Sequence, residues 1–498
     1  MSNFIKVVRK GRAPNEEQKG SYTWRDKLVA FEKGKGKFVS VDAFCQNLLV
    51  DCNDLARDDI CFEMVVHDYD EQCEGVQARW FVRVDKLCGY RALAHFVGCT
   101  DKKSKFWVNV LSDEVFHLAN ANMIDENMER LAYAPPTTAI PDYTENVKQY
   151  IDKCIENEIV GTQSISRDYQ NMRENLHKPR FRIGQRLELL HYTNSTLIRV
   201  ARVVETCGRR LMVRVMQADY PGDIDDEALE EDRQFENSKP APYWIDEGSF
   251  LIFPVGFAAV NEYELQAKRD YKEHSRRVAD AILKGEEPDY HPDDIKFSDL
   301  KKDPVNMEHW DKLKKGQKLE VIDPLAQEFK LLKVATILKF LPTPGYIVVG
   351  IDGENMIEES VPLHISAPFM YPVGYAKEYN LQLEMPDNYK KKKFNWDTYL
   401  EEEKAEKMPI ELFRPFPSEE RLAKFKVGMH LEAADMCENH YICPATITSI
   451  HGRIINVNFD GWESDFDEVY DVDSHDIFPI GWCELHNYFL QTPKRDNY

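Results

Sequence analysis

Three aromatic side chains near the C-terminus stand at a spacing that could build a binding pocket. Phe459, Trp462 and Phe466 are separated by three and four residues in the segment NFDGWESDF, residues 458–466. This spacing is typical of the buried stripe of a helix, but it also suits the walls of a pocket. Ring faces carry negative charge density, so a pocket with such walls would bind a cation. Gly461 and the alternating strand before it favour a turn over a helix.

An internal repeat shows which elements would position these residues. One motif occurs three times and is followed each time, about fifty to seventy residues later, by a second motif. The first motif is GQRLE at 184–188, GQKLE at 316–320 and GMHLE at 428–432. The second is PVGF at 254–257, PVGY at 372–375 and PIGW at 479–482. Two alternating apolar runs joined by a Gly or Pro turn lie between them and predict a β-hairpin in each copy.

A fourth, less regular copy precedes these three. It has ICFEMVV at 60–66 in place of the first motif, and a hairpin sequence at 80–96. VFHLANAN at 115–122 takes the place of the second motif. A repeat of about 110 to 130 residues is too long for a stacked solenoid unit and suits one small barrel with an extension. We therefore predict a mainly β protein of four small β-barrels.

Each copy is preceded by an arm that the sequence predicts to be helical or irregular. Residues 145–160 and 270–285 show helical periodicity, and a Trp motif recurs as WRDKL at 24–28 and WDTYL at 396–400. We expect the arms to pack onto neighbouring barrels and to give one rigid assembly. The predicted units are a flexible N-terminus at 1–19, copy one at 20–136, copy two at 137–267 with an acidic insertion at 218–236, copy three at 268–386 and copy four at 387–498.

These motifs closely resemble the malignant brain tumour (MBT) repeat. Copy four shows almost the whole pattern, VGMHLEAADMCENHYICPATITSIHGRIINVNFDGWESDF at 427–466 followed by PIGWC at 479–483. Copies two and three match well, and copy one matches in part through GYRALAHFVG and FWVNVLSDEV. The resemblance implies a Tudor/SH3-like β-barrel in each of four tandem MBT repeats. It also implies recognition of methylated lysine on histone tails, in chromatin repression.

The resemblance assigns a pocket to copy four. Position by position, it implies that Asp435, Phe459, Trp462 and Phe466 bind methyl-lysine, with Glu438 at a possible rim. A methylammonium keeps its charge but is poorly solvated, so ring faces and one carboxylate suit it. The same three wall positions and the acid position hold Phe96, Cys99, Lys103 and Val66 in copy one, Val215, Ala218, Gly222 and His191 in copy two, and Ile351, Glu354, Glu358 and Asp323 in copy three. Copy four alone combines three aromatics with the acid.

Two of these residues depart from the common family pattern. Phe466 stands where Tyr is common, which removes a hydroxyl group and keeps the ring face. Glu438 stands where many binding repeats have Asn, and it adds negative charge near the rim. The preference among mono-, di- and trimethyl-lysine therefore stays open.

Structural roles compete with the pocket assignment. Phe459 ends an alternating strand and could belong to the barrel core. Asp435 could cap the next loop by accepting hydrogen bonds from backbone N–H groups. Trp462 follows a glycine in a turn, where burial in the core is less easy, so the pocket is favoured at that position.

Composition excludes several classes of protein. Of the 498 residues 43% are hydrophobic, which supports real cores, and no apolar run of about 18 residues or signal peptide occurs. We expect a soluble intracellular protein without a membrane segment. Eleven cysteines occur without a CxxC pair, and Cys437 and Cys443 flank His440 without a second ligand pair. We therefore expect neither a disulfide framework nor a metal site.

Charge bears on the class of partner. The net charge of −22 repels phosphate backbones and attracts basic partners. The one dense basic run, Lys390–Lys393, could serve as an import signal or a DNA contact, although such runs are more often solvated linkers. We regard DNA contact as the less favoured hypothesis.

The sequence favours a binding protein over an enzyme. It contains no GxSxG, HExxH, GxxxxGKS or GxGxxG segment, so we expect no catalysis and no cofactor. By the resemblance we expect a nuclear chromatin regulator that binds methylated histone tails, with histone H3 favoured, alongside chromatin repressor proteins. The alternative is a scaffold in a repressor complex, in which methyl-lysine binding is vestigial.

Overall fold

The structure is a computed structural model, and it describes most of the chain. The described residues are 3–4, 21–45, 60–69, 76–99, 104–118, 130–137, 139–140, 146–160, 162–165, 179–191, 194–216, 243–300, 302, 307–326 and 329–493. The predicted acidic insertion at 218–236 lies outside these residues. Of the predicted flexible N-terminus, residues 3–4 alone are described, and they form a short strand.

Strands dominate the described chain and short helices lie between them. The elements of the first two barrels and their arms are β1 (Asn3–Phe4), α1 (Arg25–Glu32), β2 (Lys37–Phe38), β3 (Ile60–Val65), β4 (Val76–Cys88), β5 (Arg91–Phe96), β6 (Phe106–Asn109), β7 (Val115–Phe116), β8 (Arg130–Tyr133), α2 (Val147–Cys154), β9 (Gln163–Ser164), β10 (Arg186–Leu190), β11 (Leu197–Cys207), β12 (Arg210–Val215), β13 (Tyr243–Asp246), β14 (Ile252–Phe253), α3 (Phe257–Val260) and β15 (Glu264–Gln266). Those of the last two are α4 (Arg269–Lys284), β16 (Lys318–Val321), β17 (Leu332–Phe340), β18 (Tyr346–Ile351), β19 (Ser360–His364), β20 (Met370–Tyr371), α5 (Tyr375–Glu378), β21 (Leu383–Glu384), α6 (Trp396–Glu403), α7 (Glu419–Leu422), β22 (Met429–Ala434), β23 (Ile442–His451), β24 (Ile454–Phe459), β25 (Glu468–Asp471), β26 (Ile477–Phe478) and α8 (Trp482–His486).

The strands form four curled sheets with one common order. This order is β6-β5-β4-β3-β7 in barrel 1, β13-β12-β11-β10-β14 in barrel 2, β19-β18-β17-β16-β20 in barrel 3 and β25-β24-β23-β22-β26 in barrel 4. In every barrel the pairing within the long hairpin shifts by one residue at the same place, after Val84, Val203, Ile337 and Ile447. Such a bulge bends a strand and helps a sheet to curl. The prediction of a mainly β fold with four barrels is confirmed.

The two recurring sequence motifs meet through a buried glutamate. The glutamate of each first motif accepts two backbone N–H hydrogen bonds, one from the glycine of the second motif and one from the residue that follows this motif. The acceptors and donors are Glu188 with Gly256 and Ala258 (2.9 and 2.7 Å), Glu320 with Gly374 and Ala376 (both 2.7 Å), and Glu432 with Gly481 and Cys483 (both 2.8 Å). Because a buried carboxylate must be paired, this contact explains why both motifs recur together.

Barrel 1 lacks the second motif and pairs its glutamate differently. Glu63 accepts a hydrogen bond of 2.6 Å from the hydroxyl group of Tyr133 and lies 3.6 Å from Arg79. The short strand β7 still pairs with β3 at the position that β14, β20 and β26 take in the other barrels. The divergent first copy therefore keeps the strand order of the barrel, but its buried glutamate has different hydrogen-bonding partners.

The helices occur mainly in the arms. The predicted helix at 270–285 is α4, which ends at Gly285 with a φ of 72°. The predicted helix at 145–160 forms α2, followed by one π-helical turn at 155–159. In the described part of the chain, no helix combines the length and the apolar character that a membrane span requires.

Each arm packs on the barrel that precedes it in the chain, and the first arm packs on the last barrel. The pairings, all parallel, are Gln163 with Ile60, Asp294 with Arg186, Lys407 with Lys318 and Phe38 with His430. Side chains of the arms also reach the buried glutamates: Trp396 Nε1 donates to Glu320 at 2.7 Å, and Ser275 Oγ donates to Glu188 at 3.0 Å. The predicted packing of arms onto neighbouring barrels is confirmed, and it joins the four barrels in a closed cycle.

Barrel 4 contacts each of the other three barrels. The backbone N–H of Tyr90 in barrel 1 donates to Ile480 at 2.9 Å. Tyr371 in barrel 3 donates from its hydroxyl group to Asp471 at 2.9 Å. His475 lies 3.0 Å from Asp246 of barrel 2. The candidate pocket of copy four thus lies in the barrel that the others hold in place.

Candidate functional site in the fourth barrel

The aromatic segment of copy four forms a turn after strand β24. Gly461 has a φ of 82°, a conformation that glycine adopts without steric cost. The backbone N–H of Trp462 donates to the carbonyl of Phe459 at 3.0 Å, and a single 3₁₀ turn follows at residues 464–466. Asn458 holds the turn by donating to the Trp462 carbonyl at 3.3 Å and to Asp467 at 2.6 Å. The segment is therefore a turn and not the stripe of a long helix.

The three rings differ strongly in exposure. Phe459 is 3% exposed and lies in the core of barrel 4, while Trp462 packs half-buried against the same core. Phe466 is 51% exposed. The Trp462 and Phe466 rings meet edge to face, with centroids 5.2 Å apart and planes at 67°. Phe459 thus takes the core position that competed with its pocket assignment, and the other two rings form a more exposed aromatic pair in the turn that follows it.

Asp435 organises the loop after strand β22. Its Oδ1 atom accepts hydrogen bonds of 2.8 Å from the backbone N–H groups of both Cys437 and Glu438. The backbone N–H of Tyr441 then donates to the Glu438 carbonyl at 2.8 Å. The capping role that competed with the pocket assignment is therefore present, and the Glu438 side chain is exposed at the loop surface.

Glu468 connects this loop to the aromatic turn. It begins strand β25 two residues after Phe466, and its carboxylate accepts a hydrogen bond of 3.1 Å from the backbone N–H of Met436. One carboxylate oxygen of Glu468, one of Asp435 and the Sγ atom of Cys437 all lie within 4.8 Å of one another. Burial and the neighbouring Asp435 carboxylate raise the pKa of Glu468 to about 7. No sequence signal distinguishes Glu468, because an acid beside Asp467 in a turn resembles a surface residue.

The loop and strand β25 are held from outside by contacts with barrels 2 and 3 and with the C-terminal segment of copy four. Arg210 of barrel 2 is 1% exposed and donates a hydrogen bond from Nη2 to the carbonyl of Asn439. The Tyr488 hydroxyl group donates to the carbonyl of His440 at 2.9 Å. The backbone N–H of Val469 donates to the carbonyl of Phe329 in barrel 3 at 2.7 Å. The position of the loop therefore depends on the assembly and not on barrel 4 alone.

Comparison with known proteins bears on the origin of this fold. A family model described as mbt repeat matches residues 185–272, 317–390 and 429–497. Protein lin-61 of Caenorhabditis elegans is 54% identical over 498 residues, which are all of this chain and 80% of that protein. The chain belongs to the MBT-repeat family. Malignant brain tumor repeat protein 1 of the same organism is 36% identical, with 97% of this chain and 88% of that protein covered.

A solved structure extends the likeness to all four repeats. The four MBT repeats of Drosophila melanogaster Sfmbt superpose with a TM-score of 0.75 at 25% identity, covering 96% of this chain and 100% of that one. The family model matches three segments, and copy one is not among them. The sheet of barrel 1, formed by strands β3 to β7, nonetheless has the strand order of the other three sheets. Barrel 1 is therefore the divergent MBT repeat 1.

Strand pairing fixes which residues correspond to Phe459 in the other repeats. In MBT repeat 4 Phe459 pairs with Ala445. The corresponding pairs are Phe96 with Val82 in repeat 1, Val215 with Ala201 in repeat 2 and Ile351 with Ala335 in repeat 3. The strand register therefore confirms that Phe96, Val215 and Ile351 occupy the position of Phe459, as the sequence predicted. Beyond it, Lys103, Ala218 and Gly222 lie outside the described residues, and Glu354 and Glu358 of repeat 3 are exposed acids.

The acid position also differs in its electrostatic partner. In repeat 3, Asp323 lies 3.1 Å from Lys333, which pairs across the sheet with Val321. In repeat 4 the position that corresponds to Lys333 is occupied by Cys443, which pairs across the sheet with Ala433. Cys443 is buried, and its thiol group is uncharged. Repeat 3 thus neutralises its acid with its own lysine, whereas repeat 4 places a thiol beside its acid.

Repeats 1 and 2 have no acid at this position. Repeat 2 has His191, which contacts Arg199, and repeat 1 has the buried Val66. Burial and the Arg199 guanidinium lower the pKa of His191 to about 4. A cationic ligand would therefore meet a guanidinium group in repeat 2 and an apolar side chain in repeat 1.

The basic run that could contact DNA lies before helix α6. All four lysines of Lys390–Lys393 are exposed. Lys391 pairs with Glu402 of α6, so part of the positive charge of the run is compensated within the chain.

Proposed function

We propose that MBT repeat 4 binds a methylated lysine between Trp462 and Phe466, over Phe459 and beside Asp435. One observation carries the proposal. The edge-to-face pair of Trp462 and Phe466 packs against the barrel core through Trp462, and the loop of Asp435 is joined through Glu468 to the strand that follows this pair. The Sfmbt structure supports it, since its four MBT repeats are in complex with peptide RHR (me)K VLR.

Physical chemistry favours a methylammonium over an ordinary ammonium at this site. Methylation removes N–H donors and keeps the charge, so the penalty for leaving water falls while the attraction to ring faces remains. Each ring contributes roughly 0.5 to 2 kcal/mol, and one charge-assisted hydrogen bond to Asp435 adds to this. A net 5 to 7 kcal/mol corresponds to an affinity of about 10 to 200 μM. Stable residence on chromatin would then require avidity.

The partner we propose is a histone tail, with histone H3 favoured, and the place of action is the nucleus. Histone tails are rich in Lys and Arg, and the net charge of −22 attracts such segments. We propose a role in transcriptional repression together with chromatin repressor proteins, because the relatives include the Polycomb protein Sfmbt of Drosophila melanogaster, 28% identical over 426 residues. In this proposal the protein binds and does not catalyse.

Titration of the full chain with H3 peptides that carry zero to three methyl groups tests the proposal. Binding of a methylated peptide should exceed that of the unmethylated peptide, and Phe466→Ala should weaken it at least about tenfold. Phe416→Ala is the matched control, since Phe416 is also an exposed phenylalanine (46%) but lies against Tyr379 of repeat 3. Equal binding of all peptides, unchanged in Trp462→Ala, would contradict the proposal and favour the scaffold alternative.

A further inference from the structure

The candidate pocket of repeat 4 (the repeat 4 cage, formed by Asp435, Phe459, Trp462 and Phe466) has a second carboxyl group, Glu468, beside Asp435. Glu468 is 5% exposed, and one of its carboxylate oxygens lies within 4.8 Å of a carboxylate oxygen of Asp435. Two ionised carboxylates at this distance repel each other, and repulsion is strong where water is excluded. Such a pair tends to retain one proton between its members.

The hydroxyl group of Tyr470 also lies at this pair. It is placed to donate to the Glu468 carboxylate and to the backbone carbonyl of Ala434, at 2.8 Å from the latter. A single hydroxyl proton serves only one of these two acceptors at a time, so Tyr470 supports the ionised form of Glu468 only in part. Burial and the Asp435 carboxylate outweigh this donor and raise the pKa of Glu468 to about 7.

We propose that Glu468 is a proton-linked binding residue of the repeat 4 cage, which holds a proton in the free protein and releases it to solvent when a methylammonium binds. The inference rests on the proposed function of repeat 4. An incoming cation replaces the proton as the partner of the two carboxylates. The cage then carries two negative charges under a bound methylammonium and one when it is empty. Binding is therefore linked to pH near neutrality.

The groups around Glu468 agree on the direction of this effect. Asp435 and Cys437 face it from the loop, Tyr470 from its own strand and Cys443 from strand β23. All four are neutral or negative over the whole pH range, and Val457, its partner across the sheet, is apolar. Raising the pH ionises Glu468 and adds negative charge beside Asp435. Affinity for a cation therefore rises with pH and falls on acidification.

The test is isothermal titration of the full chain with an N-acetylated dimethyl-lysine H3 peptide that lacks histidine. At pH 7, two buffers of different ionisation enthalpy should report release of about half a proton, because a group of pKa about 7 is then half protonated. Affinity at pH 8 should exceed affinity at pH 6 by roughly five- to tenfold. Glu468→Gln, which can still accept from Met436, should abolish both effects and bind at pH 8 about as weakly as the wild type binds at pH 6.

His440→Gln is the matched control, because histidine also gains charge on acidification and His440 lies in the same loop. The control should keep the proton release and the pH dependence. Methyl-dependent binding that releases no proton, or a pH dependence that persists in Glu468→Gln or vanishes in His440→Gln, overturns the inference and leaves the proposed function intact. Absence of methyl-dependent binding at every pH overturns both. The proton count uses the wild-type chain, so it decides the question even if Glu468→Gln fails to fold.

Discussion

The indole Nε1 of Trp24 donates a hydrogen bond of 2.9 Å to the carboxylate of Glu432, which lies 408 residues further along the chain. Trp24 belongs to the first arm and Glu432 to the last barrel. The backbone N–H of Tyr22 reinforces the contact by donating to the carbonyl of Leu490 at 2.8 Å. The first and last parts of the described chain are thereby joined.

This contact repeats one found inside the chain. Trp396 makes the same hydrogen bond to Glu320, so both copies of the Trp motif serve one purpose: each supplies an N–H donor to a buried glutamate of a different MBT repeat. Because the cycle passes through all four repeats, loss of one arm contact should loosen more than one barrel.

We predict that Trp24→Phe lowers the stability of the whole chain. Phenylalanine keeps most of the apolar contact and removes the donor, so the buried Glu432 loses one of three hydrogen bonds, at a cost of about 1 to 3 kcal/mol. Thermal unfolding should shift to lower temperature. Trp396→Phe is the matched variant and should cost a similar amount. Unchanged unfolding of both variants would show that the hydrogen bond contributes nothing.

We predict that Asp435→Asn weakens methyl-lysine binding, whereas Asp323→Asn does not. Asparagine keeps an Oδ1 acceptor for the Cys437 and Glu438 N–H groups, so the loop should persist while the negative charge is lost. Loss of a charge-assisted hydrogen bond should reduce affinity roughly tenfold or more. Asp323 is the control because Lys333 already neutralises it. Titration of both variants with a methyl-lysine peptide tests the prediction. Equal affinities of Asp435→Asn and Asp323→Asn for the peptide would show that Asp435 does not contribute to binding.

The features that sequence predicted are the local ones. Alternation on both sides of a glycine such as Gly452 is a property of neighbouring residues, so the hairpins and the four barrels could be derived from it. The aromatic set of repeat 4 was found in the same way, by comparison with shorter or charged residues such as Ile351 at the matched strand position.

The features that sequence did not predict depend on contacts between distant segments. The union of Trp24 with Glu432 joins residues with no periodic relationship. Glu468 could not be recognised as buried, because its burial results from packing under the 435–441 loop and beside repeat 3. The neutralisation of Asp323 by Lys333 requires the strand register, which the composition of either segment does not determine.

We predict that the contact between repeats 2 and 4 is sensitive to acid. Burial alone would raise the pKa of Asp246, but His475 and Arg209 hold it well below its usual range. A carboxyl group with a depressed folded-state pKa stabilises the protein above its unfolded pKa of about 3.9, and this stabilisation is lost as pH falls through the lower folded value. Asp246→Asn should therefore cost about 1 to 3 kcal/mol at pH 7, because it removes the buried charge that pairs with the half-buried Arg209 and His475.

Thermal unfolding between pH 3 and pH 7 checks this prediction. The difference between wild type and Asp246→Asn should narrow below about pH 4. Asp293→Asn is the control, since Asp293 pairs with Arg182 at 2.7 Å on the exposed surface and its loss should change unfolding little. A constant difference across the pH range would mean that Asp246 stabilises the interface through packing and not through its charge.

We predict that Arg210 of repeat 2 positions the cage loop of repeat 4. Its buried guanidinium donates to the Asn439 carbonyl and lies 5.3 Å from the centre of the Tyr488 ring. Arg210→Met keeps the length of the side chain and removes the donor, so the loop should lose its outer brace. Affinity for a methyl-lysine peptide should fall roughly three- to tenfold, or about 0.7 to 1.4 kcal/mol.

Arg214→Met is the control for Arg210→Met, because Arg214 lies on the same strand and is exposed. It should bind the peptide as the wild type does. Titration and thermal unfolding must be measured together, since removal of a buried arginine can also alter stability. A folded Arg210→Met chain with wild-type affinity would show that repeat 4 sets its own loop. Reduced affinity with an unchanged response to methylation would instead identify repeat 2 as part of the support for the cage, since every methylated peptide depends on the same loop.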